Sequence, residues 1–253
     1  MRVEQFLSES AQRVGSVPAI VAAGRSHSYR DLGRAAERVA IALTNRGVRR
    51  GDRVAVLMDN TFAAVVTAFG ILMAGGVLCA VDPRAAGESL RYVLGNNGAV
   101  ALATEARFAT TAAAALATTR TVRLVLLSGG DRSTASASCL CLEDLIAGFG
   151  RTPVAPHAGT AGDPAIVLGI ADAGGFAEAV TLTHAELVAA ASATAHSGPA
   201  SGVRSIFNHH GLCHVIAAIK AGATIVLESS SAFGHGVLRR EGDRAEAVPA
   251  LAG

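Results

Sequence analysis

Short apolar segments and longer helix-like segments alternate along this chain, and this alternation constrains the fold more than any other feature. The sequence predicts strands at 18–22, 26–28, 53–58, 77–81, 99–103, 122–127, 138–142, 166–168, 180–182 and 223–227. It predicts helices at 3–14, 30–46, 61–74, 87–95, 105–117, 142–147, 184–195 and 210–220. Strands that alternate with helices are typical of parallel βαβ units. The sequence therefore predicts an α/β fold, a layered sandwich of helices on a mainly parallel sheet.

A stretch rich in glycine, alanine and proline interrupts this alternation near residue 150. We predict a first αβ subdomain over 1–150, a linker over 151–162 and an incomplete second αβ subdomain over 163–230. The tail, 231–253, is expected to be poorly ordered. An incomplete subdomain is expected to expose apolar surface, and an exposed apolar patch often marks contact with a partner.

Several segments match, in the same order, the motifs of one enzyme superfamily. They are Ser28–Leu32 (SYRDL), Gly47–Val56 (GVRRGDRVAV), Asn60, Gly70–Val77 (GILMAGGV), Val81–Pro83 (VDP), Phe207–Leu212 (FNHHGL) and Ala221–Leu227 (AGATIVL). Through these residues the chain resembles the adenylate-forming enzymes, which include acyl-CoA synthetases, luciferases and peptide-synthetase adenylation domains. The resemblance covers about residues 16–227 and implies a truncated form of their N-terminal domain.

The segment 163–184, DPAIVLGIADAGGFAEAVTLTH, has the frame of that superfamily's phosphate loop. A strand leads into a small-residue turn at Gly174 and Gly175, and a second strand leads into a helix. Thr183 is predicted to cap this helix, with Glu186 three residues later as the partner in a capping box. The frame predicts a loop between two strands.

The loop lacks the residues that the superfamily uses to bind ATP. Loops that hold ATP use backbone N–H groups exposed by glycine, hydroxyl donors and a cation. The resemblance places Asp172 and Glu178 where the superfamily has a glycine and its loop lysine. At roughly 4 Å and an effective dielectric near 20, each carboxylate would cost on the order of a few kcal/mol beside a phosphate. We expect ATP and magnesium to bind weakly or not at all.

The degenerate loop is accordingly assigned to Asp172, Gly174, Gly175, Glu178, Thr183 and His184. Two interpretations of this segment stay open at this point, a surface hairpin inherited from an ancestor and a rebuilt ligand site. The resemblance also implies a second half with a mobile lid and a catalytic lysine, but this chain has 253 residues and Lys220 is its one lysine. We therefore expect no adenylation by this chain alone.

A histidine-rich segment provides the other group of candidate site residues. The candidate pocket residues are Phe207, Asn208, His209, His210 and Gly211, and the candidate catalytic residues are His209 and His210. In the superfamily this segment lines the acyl and pantetheine channel. His210 and His214 share a helix face at a spacing of four residues, which is compatible with a metal site. Because no carboxylate lies nearby in sequence, we assign no metal here; a small-ligand or acid–base role and ordinary helix-start packing stay open.

Charge and composition exclude several other classes of function. The chain carries a net charge of +2, has no tryptophan and has no basic run longer than two residues, so nucleic-acid binding is not expected. The N-terminus lacks the pattern of a signal peptide, so a cytoplasmic location is expected. The apolar run from Thr61 to Val81 is long enough to imitate a membrane span, but Gly75 and Gly76 break it. A buried helix followed by a strand is the better interpretation, and no membrane partner is expected.

The cysteine pattern does not predict disulfides. The four cysteines are Cys79, Cys139, Cys141 and Cys213. Cys139 and Cys141 are expected to share one face of a strand, and without a second close pair they indicate packing and not a metal site.

Three hypotheses for function follow. The chain is a pseudoenzyme that serves as a binding or assembly partner in a biosynthetic pathway, with a second copy, a full-length synthetase or a carrier protein. Alternatively, it is an acyl-CoA synthetase-like ligase that binds a small acyl ligand and is completed by another chain. The third hypothesis is a repurposed enzyme that uses His209 and His210 for acid–base chemistry.

Overall fold

The structure is a computed structural model, and it describes residues 1–81, 83, 86–131, 138–148, 159–172, 175–196 and 206–227. The helices are α1 (Val3–Arg13), α2 (Tyr29–Asn45), α3 (Phe62–Met73), α4 (Ala86–Asn96), α5 (Ala109–Leu116), α6 (Leu142–Ala147), α7 (His184–His196) and α8 (His209–Ala221). The strands are β1 (Pro18–Ala22), β2 (Arg25–Ser28), β3 (Arg53–Leu57), β4 (Val77–Ala80), β5 (Ala101–Glu105), β6 (Leu124–Ser128), β7 (Cys139–Cys141), β8 (Pro164–Asp172), β9 (Gly175–Thr183) and β10 (Ile225–Leu227). The predicted α/β class is confirmed.

The larger sheet has seven strands in the order β7-β6-β5-β3-β4-β8-β9. Every neighbouring pair is parallel except β8 and β9, which form an antiparallel hairpin. A smaller sheet has β1 at its centre, parallel to β10 and antiparallel to β2. Because β1 and β10 are about 200 residues apart in the chain, the small sheet ties the N-terminal segment to the end of the described residues.

Helices cover both faces of the larger sheet. Alternate side chains of β3 contact the helices on opposite faces. Val54 and Val56 face a core formed with α1, α2, α3 and α8. Ala55 and Leu57 face a second core formed with α4 and α5. Successive side chains of a strand point to opposite faces, so a strand buried on both sides is apolar throughout. This is why the predicted parallel strands are short runs of valine, alanine and leucine.

Many element boundaries differ from the predictions by one or two residues, and three regions illustrate the differences. The helix predicted at 105–117 begins as a 3₁₀ turn, Ala106–Phe108, and continues as α5. The strand predicted at 99–103 lies at Ala101–Glu105, because Val54 of β3 pairs with Ala101. The strands predicted at 166–168 and 180–182 extend to nine residues each, since they pair with one another beyond the end of β4.

The larger sheet continues across the predicted domain boundary. Ile166 of β8 lies beside Leu78 of β4, so β8 and β9 extend the sheet formed by the first 150 residues. Residues 149–158 and 228–253, which include most of the predicted linker and the predicted tail, lie outside the described residues. The division into two subdomains stays a prediction.

The apolar run from Thr61 to Val81 forms α3 and β4, as predicted, and Gly75 separates them with a left-handed backbone (φ 75°). Within the part of the chain that the structure describes, no helix is both long enough and apolar enough to cross a bilayer. All four cysteines lie among the described residues as thiols outside any disulfide, with Cys79 and Cys213 buried and Cys139 and Cys141 half-buried.

Candidate functional site at the carboxyl edge of the sheet

The strand order creates a crevice between β3 and β5 at the carboxyl edge of the larger sheet. The chain leaves β3 through α3 to reach β4 on one side, and then returns past β3 to form β5 on the other side. Open α/β sheets bind ligands outside the carboxyl ends of the strands at such a reversal of strand order. The fold therefore places the candidate site beyond the ends of β3 and β5.

An ion-paired network lies at this crevice. Arg107 donates from Nη2 to Asp59 Oδ2 at 3.0 Å and from Nε to Glu105 Oε2 at 2.7 Å. The backbone N–H of Asp59 donates to Glu105 Oε1 at 3.0 Å. Two carboxylates around one guanidinium leave the network with a net negative charge, so it does not favour phosphate. None of these three residues was among the sequence-predicted site residues.

The start of α8 packs directly against the same edge. Asn60, which follows β3, accepts a hydrogen bond at its side-chain Oδ1 from the Ile206 N–H at 2.9 Å. Asn208 is the N-cap of α8 and accepts from the Gly211 N–H at 2.7 Å. Phe207 is buried in the main core. The predicted pocket residues Phe207, Asn208 and Gly211 thus hold the start of the helix in place.

The histidines of α8 form two side-chain pairs. His210 and His214 approach each other with their Nε2 atoms 2.9 Å apart and their rings nearly perpendicular, at 83°. His209 pairs with Cys213, with 3.7 Å between Nε2 and Sγ. The spacing of His210 and His214 predicted the first pair, whereas the pairing of His209 with Cys213 was not predicted. Both pairs follow the four-residue spacing that brings side chains together on a helix.

The hairpin of β8 and β9 reaches the same edge. Because β8 runs parallel to β4, its carboxyl end lies at the carboxyl edge. The pairing extends to Asp172 and Gly175, and Glu178 on β9 lies opposite Ile170 on β8. Gly174 lies outside the described residues. The segment predicted to be a loop is therefore extended, paired backbone almost to its turn.

The structure places His184 at the opposite edge of the sheet. Pro164 at the start of β8 pairs with Thr183 at the end of β9, and the His184 N–H donates to the Asp163 carbonyl at 3.1 Å. Nine-residue strands at about 3.3 Å per residue put Thr183 and His184 about 25 Å from the hairpin turn. The six residues assigned to the degenerate loop are thus divided between two ends of one hairpin.

The predicted capping box at the start of α7 is confirmed. The Thr183 N–H donates to Glu186 Oε2 at 2.8 Å, and Thr183 Oγ1 accepts from the Glu186 N–H at 3.2 Å. His184 follows as the first residue of α7. The cap fixes the direction in which the chain leaves β9.

His184 is buried against the N-terminal helix and has a structural role. Its side chain accepts the Val3 N–H at Nδ1, at 3.2 Å, and Glu4 Oε2 lies 3.5 Å from the same nitrogen. Only 3% of the residue is exposed. Burial, aided by the positive charge of Arg2, lowers the pKa of His184 from its ordinary value of 6.5 to about 4. The imidazole is therefore neutral at pH 7 and joins α1 to α7.

Acidification from pH 7 towards pH 4 is expected to lower the free energy of unfolding through His184, by on the order of 2 kcal/mol. The unfolded chain takes up a proton on this imidazole below about pH 6.5, whereas the folded chain does not until about pH 4. Stability from His184 is therefore present above pH 6.5 and is lost as the pH falls towards 4. Urea unfolding at several pH values measures this loss.

A His184→Gln variant isolates this effect from that of Glu4. Burial raises the pKa of Glu4 above its ordinary value of 4.5, so the contribution of Glu4 is lost as the pH rises, which is the opposite direction. Glutamine keeps an acceptor and does not titrate between pH 4 and 7. The difference in unfolding free energy between wild type and His184→Gln should shrink as the pH falls. A difference that stays constant over this range would contradict a lowered pKa at His184.

Comparison with known proteins identifies the family of this chain. The family model described as AMP-binding enzyme matches residues 7–242. The chain belongs to the AMP-binding enzyme family. This confirms the resemblance to adenylate-forming enzymes that the motifs indicated.

Relatives of this chain include peptide synthetases and acyl-CoA ligases. Phosphinothricin tripeptide synthetase PhsC of Streptomyces viridochromogenes is 39% identical over 99 residues, which cover 39% of this chain and 9% of that protein. A long-chain-fatty-acid–CoA ligase of Yersinia pestis is 30% identical over 139 residues, which cover 54% of this chain and 25% of that protein. The structure of MbtA from Mycobacterium smegmatis superposes with a TM-score of 0.79 at 26% identity.

The chain spans less than half the length of these relatives. The superposition on MbtA covers 90% of this chain and 44% of that structure. The matched part corresponds to the N-terminal part of adenylate-forming enzymes, and its larger sheet in this chain is mainly parallel. The motif residues Gly70 and Tyr29 lie at helix contacts of this fold, and Asn60 holds the start of α8.

Proposed function

We propose that this AMP-binding family member does not adenylate a carboxylate by itself and acts as a binding or assembly partner. Membership of the family and likeness to the N-terminal part of acyl-CoA ligases are the starting point. We further propose that the segment corresponding to the phosphate loop does not bind ATP. The observation that carries it is the extended pairing of β8 with β9 up to Asp172 and Gly175.

Extended pairing disfavours phosphate binding because of where the backbone N–H groups point. A phosphate-binding loop needs several successive N–H groups that converge on one anion. In a β-strand, successive N–H groups point in opposite directions, and in an antiparallel hairpin half of them are bonded across the strands. Pairing of Asp172 with Gly175 and of Ile170 with Glu178 leaves few N–H groups to converge on an anion.

The charged residues in the hairpin segment support the same conclusion. Asp172 and Glu178 are the ionisable residues between 169 and 180, and no lysine or arginine lies in that interval. An anionic segment raises the free energy of a bound polyphosphate instead of lowering it. The ion-paired network of Asp59, Glu105 and Arg107 adds a further net negative charge at the same edge.

The proposed partner is another component of a ligase or peptide-synthetase assembly. The relatives include a tripeptide synthetase and a long-chain-fatty-acid–CoA ligase, and this chain matches a minor part of each. A second copy of this chain, a full-length synthetase and a carrier protein are the three candidates. Light scattering on the purified chain tests the first of them, since a mass above that of one chain indicates self-association.

Isothermal titration with ATP and magnesium, and separately with AMP, is expected to show no binding tighter than about 1 mM, which corresponds to about −4 kcal/mol. The comparison variant Glu178→Lys reverses one charge in the hairpin. We expect it to bind ATP more tightly than wild type but still in the range of about 1 mM, because the backbone stays extended.

Sub-millimolar binding of ATP to the wild-type chain would overturn the proposal and favour a ligase completed by another chain. Micromolar binding by Glu178→Lys would show that negative charge alone prevents ATP binding by the wild-type segment and that the paired backbone does not prevent it. In both titrations the unfolding midpoint of the protein serves as the control for folding.

A further inference from the structure

The exposed pair His210 and His214 has a geometry that suits a metal chelate. The two Nε2 atoms lie 2.9 Å apart on the first turns of α8, with His210 exposed to solvent and His214 half-buried. Imidazole nitrogens coordinate zinc, copper and nickel, and histidines four residues apart on a helix can bind one ion together. The pair lies on α8, whose start is held at Asn60, which follows β3.

The distance between the two nitrogens selects among these metals. With metal–nitrogen bonds of about 2.0–2.1 Å, two nitrogens 2.9 Å apart subtend an angle of about 90° at the ion. A tetrahedral ion such as zinc needs about 109°, and therefore nitrogens about 3.3 Å apart. Tetragonal copper(II) and nickel(II) place neighbouring ligands at about 90°, so once an ion replaces the direct contact between the two rings the separation of 2.9 Å suits these metals better than zinc.

The helix holds both histidines in position before any ion binds. Asn208 caps the start of α8, and Gly222 ends the helix in the left-handed conformation with φ of 73°. Between them, Leu212 and Ile216 are buried in the main core. The backbone that carries both side chains is therefore ordered before an ion binds, and only the freedom of the two side chains is lost on binding.

We propose that His210 and His214 form a two-point binding site for a divalent copper or nickel ion, with water in the remaining positions. Among the described residues, no group of three or more histidine, cysteine, aspartate or glutamate side chains could hold a metal, so the two histidines are the protein ligands that we propose. This site is independent of the proposed loss of ATP binding. It also goes beyond the sequence-based assignment, which placed no metal here because no carboxylate lies nearby in sequence.

Titration of the metal-free protein with copper(II), nickel(II) and zinc(II) tests this site. We expect one high-affinity copper(II) site, in the order copper(II) above nickel(II) above zinc(II), with copper(II) at least about tenfold tighter than zinc(II). Electron paramagnetic resonance of the copper(II) complex should show a tetragonal spectrum with hyperfine coupling to two nitrogens. His210→Ala and His214→Ala should each weaken copper binding by more than about tenfold.

His209→Ala is the matched control, because His209 is an exposed histidine on the same helix turn that pairs with Cys213 on another face. It should leave copper binding unchanged. Equal affinity in wild type and His214→Ala, or an equal loss in His209→Ala, would overturn the proposal, as would zinc binding as tight as copper. His214→Gln and the metal-free unfolding midpoint of each variant separate loss of a ligand from loss of folding.

Discussion

Replacing Gly70 with alanine is expected to lower the free energy of unfolding by about 3 kcal/mol. Gly70 lies in α3 where this helix crosses α2. A Cβ atom at Gly70 would lie 2.6 Å from Val39 Cγ1, 2.7 Å from Val39 Cβ and 3.0 Å from the Ala36 carbonyl oxygen. Val39 Cβ and the Ala36 carbonyl are held by the α2 backbone, so the two helices must move apart to accept one methyl group.

Gly95→Ala is the matched control for Gly70→Ala. Gly95 also lies in a helix, α4, and a Cβ atom there meets nothing within 4 Å. Alanine is favoured over glycine in a helix by up to about 1 kcal/mol, so this variant is expected to be as stable as wild type or more stable. Urea denaturation of the three proteins measures both effects. Equal stability of the two variants would show that α2 and α3 can separate without cost.

Replacing Tyr29 with alanine is expected to lower the free energy of unfolding by about 3–5 kcal/mol. Tyr29 is the first residue of α2 and is fully buried. Its hydroxyl donates to the Ala223 carbonyl at 2.7 Å, just after the end of α8. Alanine removes the aromatic packing and also the hydrogen bond that joins the N-terminal part of the chain to the strand β10.

Tyr29→Phe separates these two contributions. Phenylalanine keeps the ring but leaves the Ala223 carbonyl without the hydroxyl that donates to it, so we expect a smaller loss of about 1–2 kcal/mol. Thermal and urea unfolding of wild type, Tyr29→Phe and Tyr29→Ala measure the series. If Tyr29→Phe were as unstable as Tyr29→Ala, the hydrogen bond and not the packing would dominate, and the estimate for the aromatic ring would be wrong.

These two residues show what a motif match can and cannot establish. Tyr29 and Gly70 belong to matched motifs; Gly70 lies within a predicted helix and Tyr29 directly precedes one, and the structure confirms both helices. The contacts that make these residues necessary join Tyr29 to Ala223 and Gly70 to Val39. No local pattern contains those partners, because they are 31 to 194 positions away along the chain.

The candidate site was predicted only in part for the same reason. The histidines of α8 and the hairpin around Gly175 were predicted from local patterns, and both lie at the carboxyl edge. Asp59, Glu105 and Arg107 were missed, although each follows a predicted strand, because their meeting depends on β3 and β5 being neighbours. The ion pair between Asp59 and Arg107 joins residues 48 positions apart, and such a pair leaves no signal in the spacing of either segment.

The sequence by itself determined the elements of this protein, their order and the α/β class, because helix and strand periodicities and caps act over a few residues. It also determined the family, through motifs that occur in order. Only the tertiary structure decided that β8 lies beside β4, that His184 lies at the far edge from the hairpin turn, and that two histidine nitrogens stand 2.9 Å apart. Those relations depend on which strands pair and how helices pack on them, and many weak contacts between distant residues determine both together.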